Sequence, residues 1–394
     1  MKKIIVFVIC VYLLGLNSFV WAGDTLIKTL KEKGVITEEE ASTIMAGEAK
    51  EKKSLLPKGL EGISIGGVAF IDYSVGTTNK DGTDFNKFSL TRGYINLKKD
   101  INPWLKVRVT PDVTLINAVN SQKGDLELRM KYYYADFLLP DYNIFTDNDL
   151  RVGLAQIPWL EFLENINLYR MQGTMFQERV GNFNSADLGV GLIGNTGGKL
   201  SKETQEKVGY STPYSGRYGS YHIGVYNGGG YHATEENQNK VIEGRITVRP
   251  LPDSVPGLQL TYFGLSGKGN KSTNPDWSSH SAFISYQNRN MVLTGEFVQA
   301  KGNQKGDNEN DKTGFSLFGD FRLPFNEAIN VVARYDVWDP DTDTSGEKET
   351  LTIAGVSYRL YEKNYILLAY EQKQYDAAGD EDDKKGQVVY QISY

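Results

Sequence analysis

The chain has 394 residues, 43 basic and 49 acidic, giving a formal charge of −6, with 12% aromatic residues, 24 Tyr, 41 Gly and one Cys. Hydrophobic content of 40% and a mean hydropathy of −0.40 exclude a polytopic helical membrane protein, and the supply of Tyr, Phe and Val excludes a disordered chain. The acidic balance argues against nucleic acid as a partner, which would call for a basic face.

Residues 1–22 read as a signal peptide. Lys2 and Lys3 precede the apolar run from Ile4 to Leu16, and Val20-Trp21-Ala22 forms a small-x-small cleavage site. No later stretch approaches the ~18–20 apolar residues of a membrane-spanning helix. Cleavage would remove two lysines and Cys10, leaving an exported chain of charge −8 (41 − 49) without cysteine. Disulfides, thiolate metal sites and cysteine nucleophiles are then excluded. Residues 23–58 form a periplasmic helical segment. Within 24–53, the only stretch with helical character, Leu26, Ile27 and Leu30 suggest one short helix that Gly34 stops. Thr37 followed by Glu38, Glu39 and Glu40 caps a second through Ala41, Ile44 and Met45. Such a hairpin buries little by itself, so it reads either as a docking or oligomerising element or as a solubilising spacer.

From residue 62 to 394 the period becomes two. Ala69, Ile71, Tyr73 and Val75 share one face against Asp72 and Ser74; Leu105, Val107 and Val109 alternate with Lys106, Arg108 and Thr110. Leu128, Met130, Tyr132 and Tyr134 oppose Glu127, Arg129 and Lys131. Alternation bounded by Gly, Pro, Asn and Asp predicts sixteen strands, near 63–75, 85–98, 104–114, 127–139, 149–157, 186–196, 218–227, 242–250, 257–266, 279–288, 291–301, 313–323, 328–337, 349–360, 364–375 and 386–394. An even number of strands, each about as long as the ~9–11 residues of a tilted membrane strand, predicts an all-β fold: a transmembrane antiparallel β-barrel over 62–394.

The connections alternate in length. Those at 76–84, 115–126, 158–185, 228–240, 267–278, 302–312, 338–348 and 376–385 are long and face outward. Those at Asp100–Pro103, Arg289-Asn290, Pro324–Glu327 and Tyr361–Lys363 are tight and face the periplasm. The stretch 197–217 breaks this rule and leaves room for a miscounted hairpin. The chain ends with Val388, Tyr390, Ile392 and Tyr394 on one face, an ending similar to the recognition signal of outer-membrane barrels. Trp104 and Tyr365, near strand ends, are candidate interfacial girdle residues.

The run Leu150-Arg151-Val152-Gly153-Leu154-Ala155-Gln156-Ile157-Pro158-Trp159 with Glu161, then Phe176–Arg179, then Asp187-Leu188-Gly189-Val190, resembles the phosphate-selective porin O/P family. Phe88-Ser89-Leu90-Thr91-Arg92, Tyr226-Asn227-Gly228 and Gly244-Arg245 add shorter echoes over most of 62–394. The resemblance implies an outer-membrane porin, a homotrimer, and a third external loop, here 158–185, that folds into the lumen and narrows it.

An aqueous barrel selects ions by the charges at its narrowest point, where confinement strengthens them. Strand parity turns Lys106, Arg108, Arg129 and Lys131 toward the lumen, while Arg92 shares a face with Leu90 and is ambiguous. Arg170 and Arg179 lie on the loop beside Glu161, Glu164 and Glu178. These residues form either a basic ladder for phosphate-like anions or a mixed ring of ion pairs that passes small hydrophilic solutes and ions generally. Acidic runs at Asp307, Glu309 and Asp311, at Asp339, Asp341 and Asp343, and at Asp380–Asp383 read as a solvated rim, with divalent binding shared with lipopolysaccharide as the second reading. His222, His232 and His280 are scattered, with no zinc motif and no activated serine, so no enzyme, metal or cofactor is expected. The alternative function is a structural sheath around a periplasmic or multihaem electron-transfer partner. The chain has no Cys-x-x-Cys-His of its own, so any haem would be the partner's.

Overall fold

In the computed structural model the alternating segments pair in sequence order and close on themselves. The structure describes Thr37 and residues 61–78, 83–115, 126–209, 214–377 and 381–394. The expected signal peptide at 1–22 and, Thr37 apart, the helical segment at 23–58 lie outside the described residues. The chain divides into two units, Met1–Gly62 and Ile63–Tyr394.

The second unit is a closed antiparallel barrel of sixteen strands. In chain order they are β1 (Ile63–Thr78), β2 (Thr83–Asn102), β3 (Leu105–Leu115), β4 (Leu126–Leu139), β5 (Phe145–Gln156), β6 (Ala186–Thr196), β7 (Gly219–Tyr226) and β8 (Val241–Val248). There follow β9 (Leu258–Lys268), β10 (Asp276–Asn288), β11 (Met291–Lys301), β12 (Asp311–Leu323), β13 (Asn326–Asp339), β14 (Glu349–Tyr361), β15 (Asn364–Tyr375) and β16 (Asp383–Ser393). Every predicted strand is present. β1 pairs with β16, and Gly67 and Tyr394 exchange backbone hydrogen bonds of 3.0 and 3.2 Å at the seam. Closure leaves no unpaired edge, which a barrel in lipid requires.

Period-two alternation sorts the faces. On β1, Phe70, Asp72 and Ser74 are buried inward while Ile71 and Val75 are exposed outward; on β16, Val389 is buried while Val388 and Tyr390 are exposed. The same outward apolar row continues through Val190, Ile223, Ile246, Leu260, Ile284 and Leu317. An apolar belt running round a closed barrel is far larger than a soluble surface tolerates and matches a lipid-facing band. Trp104, exposed and stacked on Phe137 at 6.3 Å, fits the expected girdle. Tyr365 does not: it is partly buried against the interior cluster, 6.4 Å from Tyr169, because odd-numbered residues of β15 point inward.

Two of the register shifts decide which way candidate site residues point. In the β1–β2 pair, Phe70 faces Arg92 and Ile71 faces Leu90, so Thr91 is the extra residue. Leu90 therefore points out with Ile71 and Arg92 points in with Phe70, which resolves the ambiguity at Arg92. In the β3–β4 pair, Thr110 faces Tyr132 and Pro111 faces Met130, so Lys131 is extra. Leu128 and Met130 point outward as expected, but Tyr132 and Tyr134 do not share their face. Both are buried in the lumen, and Tyr133 is exposed instead.

Helices occur outside the N-terminal segment, correcting the expectation that only 24–53 has helical character. Among the described residues these are α1 (Leu160–Ile166), α2 (Phe176–Arg179) and α3 (Lys202–Val208). Among the described residues, the long 197–217 connection adds no strand to the barrel. It holds α3, whose N-cap Ser201 accepts the Thr204 N–H at 3.2 Å through its side chain.

Candidate functional site

The β5–β6 connection, residues 157–185, folds into the barrel as the resemblance implies. Its apolar residues supply the reason. On α1, Leu160, Phe162, Leu163 and Ile166 are buried while Glu161 and Glu164 stay partly exposed, an amphipathic pattern with its apolar stripe against the wall. Trp159 stacks on Phe263 of β9 at 5.1 Å and meets Phe283 of β10 edge-on at 5.7 Å. Each fully buried side chain of this size contributes roughly 1.5–3 kcal/mol, which offsets part of the cost of ordering a long loop.

Polar side chains lock the loop's register on the wall. Gln177 donates to Ser281 Oγ and Glu296 Oε1, both at 2.8 Å, and accepts from Ser279 Oγ at 2.8 Å. Tyr169 and Ser357 share a 2.7 Å hydrogen bond, Gln172 donates to Glu371 at 2.7 Å, and Arg334 donates to the Thr174 carbonyl at 3.3 Å. Arg245, fully buried, donates to the Pro158 carbonyl at 3.1 Å and lies 4.3 Å from the centre of the Phe162 ring. The inner wall from β8 to β15 is thus covered by the loop.

The loop's other face carries charge, and its acids are engaged by arginines. Arg170 bridges Glu164 at 2.8 Å and Glu178 at 3.2 Å, while Glu161 pairs with Arg151 of β5 at 3.3 Å. Arg179 pairs with Glu371 at 3.4 Å and also donates to Gln172 at 2.9 Å. Burial pushes the Glu164 carboxyl up, but Arg170, Arg92 and Lys131 outweigh it and hold Glu164 below its ordinary value. Burial pushes the Arg179 guanidinium down, and Arg334 adds to the effect.

The facing wall, β2 to β5, is basic and aromatic. Arg92 lies over Tyr94 at 4.7 Å, Arg108 over Tyr132 at 4.7 Å and Arg151 over Tyr134 at 4.2 Å. Arg108 donates to Asn96 at 2.7 Å and to Thr110 at 3.0 Å, both neutral. Lys131 is 1% exposed and surrounded by the rings of Tyr94, Tyr132 and Tyr231 at 5.3, 5.8 and 4.9 Å. Among the described residues, no carboxylate lies within ion-pair distance of Arg92, Arg108 or Lys131. Arg129 differs, pairing with Asp112 at 2.9 Å. Lys106 is exposed nearer the short-turn end, in register with Asp100 and Asp136.

The structure therefore turns Arg92, Arg108, Arg129 and Lys131 inward, sets Glu161, Arg170, Glu178 and Arg179 on the loop inside the barrel, and leaves Lys106 toward the rim. Sequence reading missed the tyrosine faces and the partners Asp112, Asp136, Arg151 and Glu371. The Tyr132-Tyr133-Tyr134 run was the available signal; for Tyr231, on the β7–β8 connection, only its position after three glycines was. His222, 1% exposed, shares a 2.9 Å hydrogen bond with Tyr226, whereas His280 bonds Tyr262 on the outer face. Among the described residues, no group of three His, Cys, Asp or Glu is placed to hold a metal. Rim acids are engaged elsewhere: Asp307 pairs with Lys271 at 3.2 Å, and Asp341 accepts from Asn310 at 3.0 Å.

The closed sixteen-strand barrel has counterparts among solved structures. The chain is similar to an anion-selective porin from Comamonas acidovorans, with a TM-score of 0.58, 13% identity, and coverage of 84% of this chain and 99% of that one. It has the porin fold. OmpF of Salmonella typhi, solved with daunomycin, gives a TM-score of 0.54 at 12% identity over 84% of this chain and 97% of that one. The outer membrane channel DcaP of Acinetobacter baumannii gives 0.53 at 12% identity, with the same coverage. No protein-family model matches the chain, and no curated protein matches it. At these identities the likeness is one of fold, and with the apolar belt it makes this an outer-membrane barrel. The specific O/P family is not established by it.

Proposed function

We propose that the protein is an outer-membrane porin that passes small hydrophilic solutes by passive diffusion, without a chemical step, and prefers anions to cations. The observation that carries the preference is the segregation of charge across the constriction. Arg92, Arg108 and Lys131 directly contact only aromatic or neutral groups on one wall, while Glu161, Glu164 and Glu178 opposite are each in an ion pair with an arginine. Net positive potential then faces the free lumen even though the chain as a whole is acidic. The apolar packing of the loop inside the barrel speaks against the sheath reading, because that loop occupies wall a protein partner would need.

The test is single-channel recording of the purified barrel in planar bilayers across a KCl gradient, with potassium phosphate as a second salt. Stepwise conductance with a chloride-side reversal potential is expected, reduced in the double variant Arg92→Gln/Arg108→Gln. A cation-side reversal potential would overturn the anion preference and leave the porin; no conductance from verified folded barrels would overturn the porin. A homotrimer is proposed on the porin fold and is read by cross-linking in detergent.

A further inference from the structure

The β7–β8 connection, residues 227–240, starts with Asn227-Gly228-Gly229-Gly230-Tyr231. Gly228 and Gly230 have φ of 103° and 85°, conformations that side-chain-bearing residues rarely adopt. A Cβ on Gly230 would lie 2.7 Å from Asn184 Nδ2. The stem is fixed by the Gly228 N–H, which donates to Asp187 Oδ2 at 2.6 Å. From this stem Tyr231 reaches β4. Its hydroxyl accepts from Arg129 Nη2 at 2.8 Å, and its ring lies 5.0 Å from the Arg129 guanidinium and 4.9 Å from Lys131 Nζ.

We infer that Tyr231 is a specificity-determining residue of the pore, an anion-displaced latch that favours small organic carboxylates over chloride. The inference rests on the anion-selective reading above. In the state described here a neutral phenol fills the place at Arg129 and Lys131 that an anion would take. A carboxylate displacing it exchanges a neutral acceptor for an ionised one and can span guanidinium and ammonium with two oxygens. Chloride is a single-point acceptor and recovers less. The carbon end of a carboxylate then meets the faces of Tyr94 and Tyr132, which line the same place and offer apolar walls.

The test compares wild type, Tyr231→Phe, Tyr231→Ala and Gly230→Ala in bilayers, with potassium acetate on one side and potassium chloride on the other. Heat-modifiable mobility on gels verifies that each variant is folded. Wild type is expected to pass acetate, relative to chloride, better than mobility in water predicts. In Tyr231→Ala chloride conductance rises and the acetate-to-chloride permeability ratio falls about threefold, part of the worth of one charge-assisted hydrogen bond. Tyr231→Phe, which keeps the ring, falls between them. Gly230→Ala, which displaces the stem and leaves Tyr231 intact, follows Tyr231→Ala. An anion-selective wild type with unchanged conductance and ratio in folded Tyr231→Ala overturns the latch alone. A cation-selective wild type overturns the anion reading, and the latch with it.

Discussion

Trp159 donates its indole N–H to Oε1 of Glu296 at 3.2 Å, joining the constriction loop to β11 across 137 residues of sequence. The same oxygen accepts from Gln177, so both helical ends of the loop converge on one carboxylate of the wall. This makes Glu296 the point where the loop's position inside the barrel is set.

Glu296→Ala should loosen the loop without unfolding the barrel. It leaves the buried Trp159 N–H without its acceptor and takes one of the Gln177 amide's two, at a cost of about 1–3 kcal/mol. Open-channel current noise and protease cleavage within 157–185 should both increase, while heat-modifiable mobility is retained. Glu296→Gln keeps an oxygen acceptor and should stay close to wild type. Equal noise in Glu296→Ala and wild type would show that the loop's other contacts hold it without Glu296.

Acid should release the loop at a pH set by Glu164. Its carboxyl is held below the ordinary glutamate value by Arg170, Arg92 and Lys131 against the opposing effect of burial. A depressed folded-state pKa contributes stability that is fully present above the unfolded value, about 4.3, and is lost as pH falls through the folded one. Current noise should therefore be flat from neutral pH to about 5 and rise below about 4. Protonation also removes a lumen negative charge, so anion preference should strengthen over the same range. Glu164→Gln should show the acid behaviour at neutral pH, and a wild-type transition above pH 5 would contradict the assignment.

The β4 bulge makes deletions unequal. Lys131 is the extra residue opposite the Thr110/Pro111 step, so removing it leaves Arg129, Tyr132 and Tyr134 inward and Met130 and Tyr133 outward. A barrel lacking Lys131 should assemble, with a smaller anion preference. Deleting Met130 instead leaves no outward residue between Arg129 and Lys131, so one of these two cations turns toward lipid, and should block assembly as judged by heat-modifiable mobility. Failure of both deletions alike would remove the distinction.

The strands, their number and most of their faces were legible in the sequence, because alternation is local. Ile71 beside Asp72, or Val388 beside Gln387, states which way each side chain points once one face meets lipid and the other water. Arg108, Arg129 and Lys131 were found in this way, and Arg170, Glu178 and Arg179 by their place on a connection too long for a turn.

Tertiary structure alone decided the rest. Whether Thr91 and Lys131 are bulges depends on the partner strand's register, so the inward turn of Arg92, Tyr132 and Tyr134 could not be read from β2 or β4 separately. Which cations remain without a carboxylate depends on pairs such as Arg179 with Glu371 and Arg129 with Asp112, brought together only when the barrel closes and the loop docks. Tyr231 met Lys131 for the same reason. A two-residue repeat records the faces of a strand, but the potential in the lumen is a sum over side chains up to hundreds of residues apart, and only the closed barrel sets their distances.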